Sequence, residues 1–236
     1  MSPDNRRAVI HVVAGAVLDA AGRVLIAQRP IGKHLAGGWE FPGGKLEPGE
    51  DRVTGLAREL REEIGIAIAV PRPLIRVRHA YPTRAVLLDV WVVRRYSGDP
   101  RGLDGQALRW CAQDELATAD LLPADKPIVA ALRLPERLTQ ISTPYYDVSD
   151  LSGLGHPTVG AEDTSDGRLR GVLCASAEDG VTAASAGADF LVIRDVLADE
   201  ELAALCDSLP VPVFACGIGL EQAWALGASG LSELCE

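Results

Sequence analysis

At 236 residues, 47% of them hydrophobic, the chain is long enough for two domains and apolar enough to bury a core. Its net charge of −10 argues against a protein that tracks a nucleic-acid polymer, which needs a basic surface. It leaves a single nucleotide open as a substrate, because a bound cation reverses the local field. No apolar run reaches the roughly 18 residues that cross a bilayer. The polar start, Met1 to Arg7, does not read as a signal peptide, so no membrane partner is expected. The five cysteines, Cys111, Cys174, Cys206, Cys216 and Cys235, form no CxxC pair. They read as reduced thiols, which suits a cytoplasmic location.

In chain order, Val9 to Leu18 reads as a buried strand, broken at Gly22, with Arg23 to Gln28 as its hairpin partner. A loop rich in glycine and proline runs from Pro30 to Gly49. A helix is predicted from about Glu50 to Ile64, since Val53, Leu56, Ala57, Leu60 and Ile64 recur at helical spacing. Gly65 stands where a left-handed C-cap belongs. Leu74 to His79, Val86 to Arg94 and Leu108 to Cys111 read as strands, and Lys126 to Leu132 as a short helix. These make a first domain over residues 1–135. Residues 136–168, rich in Ser, Thr, Gly, Asp and Pro, read as linker or irregular structure. Residues 169–236 then alternate. Gly171 to Cys174, Phe190 to Ile193 and Val211 to Cys216 read as strands. Ala177 to Ala186, Asp199 to Asp207 and Leu220 to Leu226 read as helices. Such βα units build a parallel sheet, and there are too few of them to close an eight-stranded barrel.

The chemistry concentrates between Gly44 and Ile66. Glu59, Glu62 and Glu63 lie at i, i+3 and i+4, on one helix face. Like charges so spaced destabilise an isolated helix by roughly 0.2–0.5 kcal/mol per pair. They suit a hard cation such as Mg²⁺, which takes oxygen ligands and shares its shell with substrate phosphates. The other reading is a solvated acidic face with Arg58 and Arg61 beside it.

The whole segment, GKLEPGEDRVTGLARELREEIGI, resembles the Nudix box. Gly44, Glu50, Arg58, Glu59, Leu60, Glu62, Glu63, Gly65 and Ile66 fill every fixed position of that pattern. The resemblance implies an α/β fold, a Nudix α/β/α sandwich with a mixed sheet. It also implies hydrolysis of a nucleoside diphosphate linked to a further group. Glu59, Glu62 and Glu63 would ligate Mg²⁺, with Mn²⁺ as a possible substitute. A carbonyl of Gly43 or Gly44 would complete the shell, since glycine lets the backbone approach the ion. Arg58 would pair with Glu50 and orient the helix start. Glu59 is the candidate general base.

Residues 8–134 further resemble the MutT subgroup, which hydrolyses oxidised nucleoside triphosphates. Trp39 to Lys45, WEFPGGK, carries that likeness. It places Arg29 and Lys45 among the substrate contacts, Phe41 in the base pocket, Arg84 on its rim, and Asp104 as a further carboxylate near the metal. Phe41 also reads as ordinary core, and Arg29 and Arg84 as surface charges. Asp125, in LLPADKPIV, stands where the subgroup's 8-oxoguanine-specific prototype has asparagine. An amide offers a donor and an acceptor, whereas an ionised Asp offers only acceptors. Burial that raised its pKa would restore the donor. The expected substrate is 8-oxo-dGTP, cleaved to the monophosphate and pyrophosphate. CTP-like nucleotides, other nucleoside diphosphate derivatives and a non-catalytic nucleotide or thiamine phosphate sensor are the alternatives. Ser185 to Ile193, Val211 to Gly219 and Ala225 to Leu234 resemble the second half of a thiamine phosphate synthase barrel. They imply a small, partial, half-barrel-like βα domain, which leaves strand edges that a homodimer would cover.

Overall fold

The computed structural model describes residues 9–33, 35–82, 84–143, 146–150 and 168–234. The chain divides into two compact units, Met1–Arg72 with Val77–Val129, and Pro73–Arg76 with Ala130–Glu236.

In the first unit, β1 (Val9–Val17) is the central strand. It pairs antiparallel with β4 (Gly43–Lys45) and parallel with β7 (Ala85–Val93), in a mixed sheet of order β4-β1-β7-β6, where β6 is Arg72–Ala80 and its residues Pro73–Arg76 group with the second unit. Side chains alternate across β1. Val13 and Val17 join a core with Leu56, Leu60 and Ile64, while Ile10, Val12 and Ala14 line a cleft. The expected hairpin of β1 with β2 (Val24–Gln28) is corrected. The turn exists, with Asp19 N–H donating to Arg23 O at 3.0 Å, but only Leu18 and Val24 bridge across it. Beyond the turn β2 enters a second sheet, antiparallel to β3 (Trp39–Glu40) and β9 (Leu108–Cys111). A third, two-stranded sheet pairs β5 (Ala67–Ala69) with β8 (Arg95–Ser97).

Helix α1 spans Arg52–Ile64. Asp51 caps it, accepting from Val53 N–H at 3.1 Å and Thr54 N–H at 3.0 Å. Gly65, at φ +74°, closes it in the left-handed region. Leu56, Leu60 and Ile64, four residues apart, are fully buried. Truncating any one to alanine is expected to cost about 2–5 kcal/mol. The buried Asp89 of β7 meets His11 of β1 and lies 3.5 Å from Arg52 Nη1, so the start of α1 is tied to both strands. Short helices α2 (Gln113–Leu116) and α3 (Lys126–Ala131) follow β9.

The second unit is a parallel half-barrel. Its strands are β10 (Arg137–Leu138), β11 (Tyr146–Asp150), β12 (Leu169–Cys174), β13 (Phe190–Ile193), β14 (Val213–Ala215) and β15 (Gly230–Ser232), in the order β10-β15-β14-β13-β12-β11. Helices α4 (Ala177–Ser185), α5 (Asp199–Ser208) and α6 (Leu220–Ala225) connect its successive strands. One face of the sheet buries Leu191 and Ile193 against Leu202, Leu205 and Ala223. The other face carries Tyr146, Phe190 and Phe214, whose rings meet edge to face at 5.7 and 5.8 Å. Gly171 has no side chain because the Phe190 ring lies 2.3 Å from where its Cβ would be.

Two expectations change here. The stretch read as linker contributes β10 and β11, both paired in parallel with half-barrel strands; residues 151–167 lie outside the described residues. Cys216 is disulfide-bonded, against the expectation of reduced thiols, whereas Cys111, Cys174 and Cys206 are free and buried. Cys235 and the Met1 to Arg7 segment lie outside the described residues. Among the described residues no helix is long and apolar enough to cross a membrane.

Candidate active site

The cleft of the first unit has a volume of about 650 Å³ and is lined by both apolar and charged groups. It brings together Arg29, Phe41, Gly43, Gly44, Lys45, Glu59, Glu62, Glu63, Arg84, Asp104 and Asp125, all expected from the sequence. Arg58 and Glu50, also on the expected list, do not line it.

The carboxylates of α1 reach the cleft past the edge strand β4, and two glycines make room. Gly43, at φ +154°, donates its N–H to Glu63 Oε2 at 2.7 Å. A Cβ on Gly43 would sit 2.1 Å from Val13 O. A Cβ on Gly44 would fall 2.1 Å from Glu59 Oε2. Behind the cleft Arg58 forks onto Glu50, with Nε to Oε1 and Nη2 to Oε2 both at 2.8 Å. It also donates to Lys45 O at 3.1 Å and to Glu59 Oε1 at 2.8 Å. This pairing holds the Glu50 carboxyl down at about 2, chiefly through the Arg58 hydrogen bond. Arg58 thus pairs with Glu50 and joins the loop before α1 to a cleft carboxylate.

Burial pushes Glu63 up to about 7, with the nearby Glu40 and Glu59 charges adding to it and the Gly43 N–H opposing it. Glu62 is 62% exposed and lies 3.3 Å from Arg58 Nη1. Among the described residues, no three His, Cys, Asp or Glu converge into a ready-made cage. The donor set nevertheless fits a hard cation. It is all oxygen, one member is buried enough to resist its own charge, and Gly44 lets the Glu59 carboxylate pack directly against the β4 backbone. Mg²⁺ takes much of its shell from water and substrate phosphate rather than from an all-protein cage.

Phe41 and Asp125 mark the candidate base pocket. Phe41 is 3% exposed and Asp125 4%. Phe41 N–H donates to Asp125 Oδ1 at 3.4 Å. Burial is the main reason the Asp125 carboxyl is pushed up to about 8; the Glu40 charge adds to it, and the Phe41 N–H and Arg29 oppose it. At about 8, the neutral acid form of Asp125 is the favoured one at pH 7. Arg29, expected on phosphate, reaches the cleft paired with Glu40 at 2.5 Å. Arg84 stands over the Tyr81 ring at 5.9 Å.

Four residues of this neighbourhood went unread in the sequence: Lys33, Glu40, Tyr81 and Gln106. Glu40 lies within the WEFPGGK stretch that drew notice, and alternation along β3 places it opposite Trp39. Lys33 lies 3.8 Å from Asp104 across the cleft. Tyr81 accepts from the Ala124 backbone, which sets it beside Asp125. Nothing local marks Gln106 or Lys33.

A NUDIX domain description matches residues 13–131, half of the chain. The chain belongs to the Nudix family. It is 40% identical over 123 residues to the CTP pyrophosphohydrolase of Escherichia coli (strain K12), covering 52% of this chain and 90% of that protein. It is 32% identical over 124 residues to the 8-oxo-dGTP diphosphatase of the same organism, covering 52% and 96%. The crystal structure of the MutT protein from Methanosarcina mazei Go1 shares the fold, with a TM-score of 0.51 at 22% identity, over 55% of this chain and 96% of that one. The protein is thus a Nudix hydrolase, and its cleft is lined by Gly44, Glu59, Glu62 and Glu63 of the box.

Proposed function

We propose that this Nudix hydrolase is a Mg²⁺-dependent nucleoside triphosphate pyrophosphohydrolase whose substrate is 8-oxo-dGTP, released as 8-oxo-dGMP and pyrophosphate. Its role would be to clear oxidised nucleotides before they are copied into DNA. The feature that carries the choice of base is Asp125, buried beside Phe41, with its carboxyl pushed up to about 8 mainly by that burial. A protonated carboxyl pairs a donor with an acceptor, as an amide does. On its N7/O6 edge guanine offers two acceptors. Oxidation at C8 places a hydrogen on N7, so the same edge becomes one donor and one acceptor. Protonated Asp125 complements the oxidised edge and leaves an acceptor facing an acceptor on the unoxidised one.

With the base against Phe41 and Asp125, the polyphosphate runs toward Lys45, Glu59, Glu63 and Asp104. Glu59, Glu62 and Glu63, with a Gly43 or Gly44 carbonyl, would hold Mg²⁺, and Mn²⁺ would substitute. A cation there supplies Lewis-acid polarisation of the phosphoryl oxygens and activation of water. Glu59 takes the proton of the attacking water, with Arg58 at 2.8 Å holding its other face. Attack at the β-phosphorus puts the water oxygen into pyrophosphate. Reaction in ¹⁸O-water is expected to label pyrophosphate; label in the nucleoside monophosphate would contradict this route.

A second reading is a CTP or dCTP pyrophosphohydrolase. The 40% identity to a protein of that name supports it. So does chemistry, since the N3/N4 edge of cytosine also pairs an acceptor with a donor. Comparing kcat/KM for 8-oxo-dGTP, dGTP and CTP separates the two readings.

A further inference from the structure

We infer that Gln106 is a positioning residue that sets the spacing between Asp104 and Glu63, and through it the affinity of the cleft for a divalent cation. The inference rests on the metal-dependent reading above.

The reasoning starts at the C-terminal end of α1. The last carbonyls of a helix have no donor within the helix and need one from outside. Here the loop at 101–106 supplies them. Arg101 N–H donates to Ile64 O and Leu103 N–H to Glu63 O, each at 3.0 Å. Gln106 adds a third donor, Nε2, to the same Glu63 O at 3.1 Å. That nitrogen also lies 3.5 Å from Glu63 Oε1. The other end of the amide, Oε1, accepts the Asp104 N–H at 2.9 Å. One side chain therefore holds the main chain of the loop carboxylate with one atom, and both the main chain and the carboxylate of Glu63 with the other.

Gln106 is only 8% exposed, so unmade hydrogen bonds there would be costly. Only an amide of this length carries a donor and an acceptor in this order. A glutamate would present an acceptor to Glu63 O and a charge to the Glu63 carboxylate. A methionine would fill the volume and make neither bond. Gly102 closes the loop onto the same residue: a Cβ there would sit 2.0 Å from Gln106 O. Asp104 itself is well exposed, and among the described residues its carboxylate has only a 3.8 Å pairing with Lys33 to locate it. Its backbone bond to Gln106, beside the Leu103 bond to Glu63 O, keeps it at the Glu63 side of the cleft. Groups that hold ligands from behind commonly account for tenfold or more of metal affinity.

The test is Mn²⁺ binding, read by the electron paramagnetic resonance of free Mn²⁺, on the full chain without nucleotide. Wild type, Gln106→Met, Asp104→Ala and the double variant are compared, with circular dichroism to confirm folding. Gln106→Met is expected to weaken Mn²⁺ binding about tenfold. In the Asp104→Ala background the same substitution is expected to weaken it much less, because part of its effect runs through Asp104. Gln106→Glu keeps the size and the acceptor for Asp104 N–H and loses the donor, so it serves if the methionine variant does not fold. It too is expected to weaken binding. Wild-type binding that neither substitution alters, or losses that multiply independently in the double variant, would overturn the inference while leaving the metal-dependent reading intact. Wild type that binds no Mn²⁺ would remove both.

Discussion

Replacing Asp125 with asparagine tests the base-reading chemistry most sharply. The carboxyl moves from an ordinary 3.8 to about 8, mainly because it is buried. With a pKa of about 8 it is about ten parts neutral to one ionised at pH 7, and the reverse at pH 9. If the neutral acid reads 8-oxoguanine, kcat/KM for 8-oxo-dGTP falls as pH rises through about 8, by roughly tenfold per unit beyond it. Asp125→Asn keeps a donor and an acceptor without a titration, so its profile stays flat through that region. Stability follows the same group with a definite sign. Because the folded pKa is raised, this contribution is fully present below about 4 and is lost as pH climbs toward 8. At about 1.4 kcal/mol per unit, the loss across that window is of the order of a few kcal/mol. The asparagine variant lacks this loss, so its melting temperature gains on wild type as pH rises from 5 to 8. The assay is pyrophosphate release from pH 6 to 9.5, beside thermal melts at the same pH values. An unchanged fall in kcat/KM for Asp125→Asn would refute the assignment.

Three further substitutions separate chemistry from scaffold. Gly44→Ala places a Cβ 2.1 Å from the Glu59 carboxylate, the mobile end of a flexible side chain. It is expected to keep its melting temperature within about 2 °C and lose at least about tenfold in kcat/KM. Gly43→Ala meets Val13 O, a backbone atom of the central strand, at 2.1 Å, at φ +154°. It is expected to destabilise the fold outright, which melting will show beside the mild Gly44→Ala. Arg58→Met removes the fork onto Glu50 and the bond to Glu59, so activity and melting temperature both fall, the latter by roughly 2–6 °C at neutral pH. Because the Glu50 carboxyl is held at about 2, its pairing contributes above 4.5 and fades as pH falls toward 2, so the gap in melting temperature narrows over that window.

What could be read in the sequence depends on how local its cause is. Helix α1 was legible because its apolar spacing, its Gly65 cap and its clustered glutamates all lie within one stretch. Most of the expected cleft residues were legible because they sit in motifs next to that stretch. Gln106 and Lys33 were not, because both come to the site on loops that tertiary contacts place there. The β1–β2 hairpin was misread for a related reason. The turn at Asp19 to Arg23 is local, but the sheet that β2 joins is decided by β3 and β9. In the half-barrel, β10 is two residues long, and the alternation of β11 rests on two apolar residues, Tyr146 and Val148, inside a polar stretch, so neither gives a pattern long enough to stand out. They are strands because β15 and β12 offer them backbone partners. The state of Asp125 is the clearest case. Its identity was visible, whereas its protonation follows from burial, which no single sequence displays.

The most direct measurement is pyrophosphate release with Mg²⁺ over 8-oxo-dGTP, dGTP, dCTP, CTP, ADP-ribose and thiamine diphosphate, with wild type and Glu62→Gln. Glu62 is 62% exposed, so its replacement leaves the core intact. The expected result is a kcat/KM for 8-oxo-dGTP well above those for dGTP and CTP, lowered at least a hundredfold in the variant and absent without a divalent cation. A flat profile, a preference for cytosine nucleotides, or a Glu62→Gln enzyme that turns over normally would contradict the proposed substrate or the proposed metal site.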